Sequence, residues 1–556
     1  MRRLLFTLGF LLLARSISDA PAIGRIDSPQ ASPGQVAADS QVRADEAMER
    51  GLDRERARNW AGAMEVYREA LQQWPSRVEF GRRLRLCEIH FKLNRRYADP
   101  SFRNILLALP PERSTELYEE VLERIQSNYV DSVAMEPLVR HGIDNLEVAL
   151  RDPVFLRANH LDAPAERINE VRETLRKYRT GLAIPDRPSA LGMAMACADL
   201  AGKSLRLDLT PVLLEFTCGA CDALDDFTSY LTPDKLEDLY AMIDGNFVGL
   251  GIELKSDNEG LRLVGVIRGG PAWEAGLLTG ELIVQIDGIT LKGMSLDDAA
   301  NRLQGLEGST VALVVRKRDG RSQSLRLVRR HVEVESVVKT KIVDPNAGIG
   351  YLRLTTFQKS STEEIDAAIA AMSSRGMRVL VLDLRGNPGG LLNVAVDIAG
   401  RFVNEGTIVS TRGRAQGQTQ SYLAAGKARW TMPLYVLVDH DSASASEILA
   451  GALQDHRRAT IVGTRTYGKG SVQSIFSLHS APAGLKLTTA KFYSPKDRPY
   501  SEQGVSPDLP ILARSAARPT DEAARLREEA DYGDPQHDPI LAATLRAARQ
   551  HSGAMP

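Results

Sequence analysis

The sequence predicts a multidomain protein with an α-helical N-terminal region, a compact, mostly β module, and an α/β core. Three observations predict it. At roughly 100–200 residues per domain, a chain of 556 residues implies three to five domains. Apolar residues recur at spacings of three and four as far as about residue 240, and the period changes to two at Gly245. From Gly348 onward, strand-like runs alternate with helix-like ones.

Composition narrows the class. Lys plus Arg number 70 and Asp plus Glu 71, so the formal charge of −1 argues against a basic footprint for nucleic acid. Hydrophobic residues at 43% and charged residues at 25% match folded, water-soluble domains. Cys87, Cys197, Cys218 and Cys221 are too few for a disulfide scaffold, and the single Cys-Gly-Ala-Cys pair lacks partners for a zinc site. They are expected to be packing cysteines, with a local Cys218–Cys221 bridge open to an exported chain.

Residues 1–22 read as a signal peptide: Arg2-Arg3, an apolar stretch from Leu4 to Ala14, and Ala20-Pro21-Ala22 as a cleavage site. The expected location is the periplasm, the cell envelope or the medium. No later segment approaches 18 uninterrupted apolar residues, so no integral membrane span is expected after signal removal. Residues 23–44, with Pro29, Pro33 and Gly34, read as a linker. In the region 45–110, Trp60, Ala63, Tyr67, Ala70 and Leu71 before Pro75 resemble one tetratricopeptide-type helical hairpin. Over 111–240, Leu117, Val121, Leu122 and Ile125 form one stripe and Val139, Ile143, Leu146 and Leu150 another. Prolines at 153, 164, 185, 188 and 211 divide the region into short helices.

Residues 241–332 form the β module, with strands expected over 248–254, 261–267, 282–286, 311–315 and 324–328. The core spans 333–513. Its strands are expected over 349–354, 378–384, 434–439 and 460–463, with helices over 363–372, 391–402 and 446–454. Val379-Leu380-Val381-Leu382 is apolar at every position, as in a strand covered on both faces. Residues 514–556 are charged and Ala-rich, a C-terminal tail or helix.

The segment most informative about chemistry is Asp441-Ser442-Ala443-Ser444-Ala445-Ser446-Glu447, between a strand and a helix. Such a turn of small residues exposes a hydroxyl, while N–H groups at the helix start face developing negative charge. A serine nucleophile needs a base, and His440, His456 or Lys469 in Tyr467-Gly468-Lys469-Gly470 would supply it. As a base Lys469 would need a pKa brought from about 10.4 to roughly 7–8, a change worth about 4 kcal/mol that burial can produce. Gln473 could accept from that amine and fix its direction.

Residues 442–473, from Ser442-Ala443-Ser444-Ala445-Ser446-Glu447 through Gly463-Thr464-Arg465-Thr466-Tyr467-Gly468-Lys469-Gly470-Ser471-Val472-Gln473, closely resemble the carboxyl-terminal processing peptidases, or tail-specific proteases. So do Leu382-Asp383-Leu384-Arg385-Gly386-Asn387-Pro388-Gly389-Gly390-Leu391, Gly504-Val505-Ser506-Pro507-Asp508 and the stretch from Leu224 to Pro233. The resemblance implies an α/β core of the ClpP/crotonase-like kind and a serine endopeptidase. It assigns Ser444 as nucleophile, Lys469 as general base and Gln473 as the amide that orients the lysine. It implies an oxyanion hole from the N–H groups of Gly390 and Ala445, Glu447 as a supporting carboxylate, and neither cofactor nor metal.

Val248-Gly249-Leu250-Gly251-Ile252 is similar to the carboxylate-binding loop of PDZ domains, and Gly270-Pro271-Ala272, Gly276-Leu277 and Asp287-Gly288 match later landmarks. Free N–H groups in such a loop hold a terminal carboxylate while the adjoining strand takes the peptide as an extra strand. Gly249, Leu250, Gly251, Ile252 and Leu303 are the expected peptide-binding residues, preferring an apolar C-terminal side chain on a protein or peptide substrate. The N-terminal helices and residues 151–210 fall outside the resemblance and suit an adaptor or self-association. Two alternatives stand beside the peptidase: a non-catalytic adaptor holding partner C-termini, and a Ser-His-Asp esterase using His440 or His456, for which the Gly-x-Ser-x-Gly elbow is missing.

Overall fold

A computed structural model describes residues 33–292, 294, 296–305, 307–511 and 532–552. The signal peptide, the first part of the linker and much of the tail expected from the sequence lie outside the described residues. The chain forms two compact units. One is helical and comprises the residues up to Leu236 together with Gln473–Thr489; the other comprises Glu237–Val472 and the residues from Ala490 on.

In the helical unit, Pro33–Arg56, Trp60–Gln73 and Val78–Ala98 pack consecutively around Ala47, Ala63, Tyr67, Ala70 and Phe80. Residues 33–44, read above as linker, are therefore the first half of a helix. Between Gly34 and Gly51 there is neither Pro nor Gly, and over residues 41–50 the buried side chains are Ala44 and Ala47, too small to mark an apolar period. A Cβ at Gly51 would fall 2.2 Å from the Tyr67 ring, so this glycine lets the two helices of the hairpin approach. Six further helices lie between Pro111 and Asp222. All eight residues of the two predicted stripes are fully buried. Pro153 and Pro188 occupy first helical turns and Pro164 an N-cap, positions where a missing N–H costs nothing. The four cysteines are free and buried, so Cys218 and Cys221 form no bridge. Gln473–Thr489 join this unit through Gly484–Lys486, which pair antiparallel with Ser229–Leu231, a partnership that no local pattern announces.

The β module is an antiparallel sheet of Ile252–Asp257, Gly260–Val266, Leu282–Ile286, Thr310–Arg316 and Ser322–Val328, with Pro271–Glu274 and Leu296–Leu303 helical. Its core includes Leu254, Leu263, Ile283, Val311 and Leu313. The strand expected over 248–254 is broken at Leu250-Gly251, where Gly251 takes φ +72°; the part before the break, Asn246–Gly249, pairs with Arg330–Glu333 instead.

The core holds a six-stranded sheet whose spatial order equals its chain order: β1 (Val337–Asp344), β2 (Ile349–Leu354), β3 (Val379–Asp383), β4 (Leu434–Val438), β5 (Thr460–Gly463) and β6 (Leu509–Pro510). Only β1 runs antiparallel to its neighbour. Helices α1 (Ser361–Ser373), α2 (Leu392–Gly400) and α3 (Ala445–Asp455) pack on one face, against Leu352, Leu380, Leu382, Val436 and Ile461. Crossovers of constant hand, advancing steadily along a sheet, place every helix on that same side. The other face would be bare, yet parallel sheets need cover on both. It is filled by α4 (Pro539–Ser552), whose Leu541, Leu545 and Ala548 pack on Tyr351, Val379, Val381, Tyr435 and Leu437. The region read as a tail therefore supplies half of the sheet's cover. The C-terminal ends of β2, β3, β4 and β5 deliver their loops to one edge, where ligands of open parallel sheets bind.

Candidate active site

The loop after β4 leads into α3. Its Asp439 carboxylate accepts from the N–H groups of Asp441 (3.0 Å) and Ser442 (2.9 Å) and from Gly386 (3.0 and 3.1 Å). Burial pushes this carboxyl up. Ser442 Oγ lies 2.9 Å from the Leu384 carbonyl and 3.0 Å from Asp439, and Ser446 Oγ donates to the Asn387 carbonyl at 2.9 Å. Both side chains are buried and committed to structure. Ser444 between them is partly exposed, at φ +57° and ψ −114°, a region that costs a non-glycine residue of order 1–3 kcal/mol. The surrounding hydrogen bonds hold it there, and the hydroxyl stands at the head of α3.

Glu447 joins that head to the loop after β5. Fully buried, it accepts at Oε2 from the N–H of Ser444 (2.8 Å) and of Lys469 (2.9 Å). At Oε1 it accepts from Thr466 Oγ1 (2.6 Å) and the N–H of Gly468 (2.7 Å). Burial drives its carboxyl up, against the pull of these four donors. Two nitrogens on one oxygen can be no more than 5.7 Å apart, the sum of 2.8 Å and 2.9 Å. The Tyr467 N–H also donates to the Ser442 carbonyl at 3.0 Å. Lys469 itself is only 7% exposed. From the segment 504–508, Val505 braces the same loop: its N–H donates to Thr466 Oγ1 at 2.7 Å, and its carbonyl accepts from Thr466 N–H at 3.2 Å.

The turn after β3 packs onto the serine. A Cβ at Gly389 (φ +104°) would fall 2.8 Å from the Ala443 carbonyl and from Ser444 Cβ, so only glycine allows this approach. The Asn387 side chain pins the turn, donating to the Leu354 carbonyl and accepting from Gly389 N–H, each at 2.9 Å. The N–H groups of Gly390 and Ala445 have no acceptor among the described residues.

Gln473 begins the stretch that packs with the helical unit, and its amide nitrogen donates to Thr488 Oγ1 at 3.2 Å. His456 lies at the other end of α3, about 18 Å from Ser444 at 1.5 Å per residue, with Nε2 2.7 Å from the Thr407 carbonyl. His440 is 46% exposed beside Asp441. The sequence motifs do not mark Asp439, Thr466 or the pair Asp383 and Arg385 as working groups, although Asp383 and Asp439 each stand at the end of an apolar strand.

In the β module, Gly249, Leu250, Ile252 and Leu303 line one groove, joined by Phe247, Leu254, Ala300 and Gln304. Leu250, Ile252, Leu254 and Leu303 give the groove apolar walls. Gly251 lies beside it against Gly270.

Residues 348–511 match Peptidase family S41 and residues 262–317 a PDZ domain. The carboxy-terminal-processing protease of Bartonella bacilliformis is 39% identical over 295 residues, covering 52% of this chain and 67% of that protein. The carboxyl-terminal-processing protease of Synechocystis sp. is 38% identical over 289 residues, covering 51% of this chain and 67% of that one. A solved photosystem II D1 C-terminal processing protease shares 29% identity over 72% of this chain and 93% of that chain, at a TM-score of 0.38. Among the described residues no helix is long and apolar enough to cross a membrane. On its sequence relatives the chain belongs to the carboxyl-terminal-processing proteases of peptidase family S41, and is a serine peptidase with a PDZ domain.

Proposed function

We propose that the protein is an exported endopeptidase that takes hold of the C-terminal tails of its protein or peptide substrates in the PDZ groove and cleaves them with a Ser444/Lys469 dyad. The observation that carries the reading is the single carboxylate oxygen of Glu447 shared by the N–H groups of those two residues. It makes the loop of the base and the turn of the nucleophile one rigid assembly, as proton transfer between their side chains demands.

The chemistry follows from these groups. The Lys469 amine, acting as the base, takes the proton from Ser444 Oγ as that oxygen attacks the peptide carbonyl. The N–H groups of Gly390 and Ala445 receive the negative charge that forms on the carbonyl oxygen. Lys469 then hands its proton to the leaving amine; once that product has gone, Lys469 deprotonates a water that attacks the acyl-enzyme, and returns the proton to Ser444 Oγ as the acyl bond breaks. Gln473 is the amide that orients the lysine.

Export rests on the signal-like residues 1–22, and the N-terminal helical hairpin suits an adaptor or a second copy. The test is cleavage of an unstructured protein bearing an apolar C-terminus by purified Ser444→Ala and Lys469→Ala proteins. Both variants are expected to bind the tail, remain folded and lose cleavage. Wild-type rates in either would remove the dyad, and tail binding without cleavage by the unaltered protein would favour an adaptor.

A further inference from the structure

Behind the turn that packs on Ser444 lies a buried network that the mechanism above does not use. Arg385, 2% exposed, is held on one side by the Asp383 carboxylate of its own turn, with Nε 2.9 Å from Oδ1 and Nη2 2.5 Å from Oδ2. On the other side it meets Asp538, with Nη1 2.9 Å from Oδ1 and Nη2 2.6 Å from Oδ2. Asp538 is 153 residues away in sequence and immediately precedes α4, where it also accepts from the N–H groups of Leu541 (3.0 Å) and Gly533 (3.2 Å). The Tyr532 ring lies over the same guanidinium at 4.0 Å and over that of Arg353 at 4.8 Å, and Arg353 donates to the Arg385 carbonyl at 3.2 Å.

We propose that the segment from Tyr532 to the start of α4 is a clamp on the catalytic turn, with Asp538 as a positioning residue that fixes Gly389 and Gly390 against Ser444 by gripping Arg385. A guanidinium chelated in two directions by buried, planar partners has one orientation. Its backbone then has one as well, because Arg385 N–H donates to Asp383 Oδ1 at 2.9 Å and the next N–H, of Gly386, donates to Asp439. Without Asp538, Nη1 loses its carboxylate, and the guanidinium is held by the Asp383 carboxylate alone. Burial of the α4 face does not require such a pair: Leu541 and Leu545 already secure the helix to the sheet. The clamp adds register between α4 and the turn rather than adhesion.

The inference rests on the reading of Gly390 and Ala445 as oxyanion donors, and the experiment separates the two. In the full-length protein, Asp538→Asn, Asp538→Glu and Tyr532→Leu are compared with Arg549→Ala. The last severs the α4 ion pair to Asp344 (2.7 Å) without touching the turn. Steady-state cleavage and hydrogen–deuterium exchange of the peptide spanning 384–391 are measured on each.

Asp538→Asn is expected to lower kcat about tenfold or more with KM within about twofold, as a small misplacement of reacting groups does. Amide exchange in the turn should accelerate, Asp538→Glu should recover part of kcat, and Arg549→Ala should match the wild type. Should Asp538→Asn not fold, Tyr532→Leu serves with the same two readouts, in the same direction and smaller. Unchanged exchange in the turn, or unchanged kcat, overturns the clamp. Cleavage that survives in Ser444→Ala overturns the dyad instead, and leaves both clamp readouts to decide on their own.

Discussion

Glu447→Gln isolates the junction between nucleophile and base. The amide is nearly isosteric, but one acceptor oxygen becomes a donor NH2, and either orientation leaves two former donors facing it. With the oxygen kept toward Ser444 and Lys469, the NH2 faces the Thr466 hydroxyl, which can turn and accept, and the Gly468 N–H, which cannot. One buried N–H is stranded, at a cost of about 1–3 kcal/mol, and the loss of a buried charge offsets part of it. Net destabilisation is therefore expected at about 1–2 kcal/mol, read as a shift in urea midpoint at constant slope. Gly468 precedes the base, so its displacement should also lower kcat by about tenfold to a hundredfold while tail affinity holds. Glu447→Ala strands all four donors and should cost more than about 4 kcal/mol. A Gln variant with wild-type kcat would show that the shared carboxylate does not set the alignment of the two loops.

Other outcomes follow from the same contacts. Gly389→Ala places a Cβ 2.8 Å from Ser444 Cβ at φ +104°, so activity should fall at least about a hundredfold with roughly 2–4 kcal/mol lost; a near-normal rate would mean the turn is not packed on the serine. Burial alone would raise the Glu120 carboxyl, but donors from His479 and Ser480 bring it down to about 2, below the ordinary 4.5. Its stabilisation of the helical unit is present above pH 4.5 and disappears as pH falls toward 2, on the order of 1 kcal/mol because solvent screens this partly exposed group; Glu120→Gln should abolish that share of the acid sensitivity, as urea titrations at several pH values will show. Leu250→Ala, in the PDZ groove, should weaken binding of an apolar-tailed peptide about tenfold by fluorescence anisotropy, and unchanged affinity would place the tail elsewhere.

Where periodicity had something large to report, the sequence was legible. The strands Ile349–Leu354 and Thr460–Gly463 lie where expected, and α1, α2 and α3 differ by a residue or two at their ends. The motifs brought Ser444, Glu447, Lys469 and the turn 385–390 into view because each is a run of adjacent residues. What stayed hidden depends on partners far along the chain or on residues too small to register. The helix at Pro33 buries alanines, and Gln473–Thr489 leave the core for a strand pairing at Ser229 that local propensity does not encode. Asp538, one acid in a charged and Ala-rich stretch, gains meaning only through Arg385, and nothing near it in the sequence says so.

The cover of the rear face of the sheet has a consequence for biosynthesis. Residues 539–552 are translated after every strand they protect, so a nascent protein whose β2 to β5 have already paired still presents Tyr351, Val381 and Leu437 to solvent on one side. Until that late helix arrives the catalytic half is an adhesive intermediate, open to capture by chaperones, and a proteolytic centre comes into being only after translation has moved well past it.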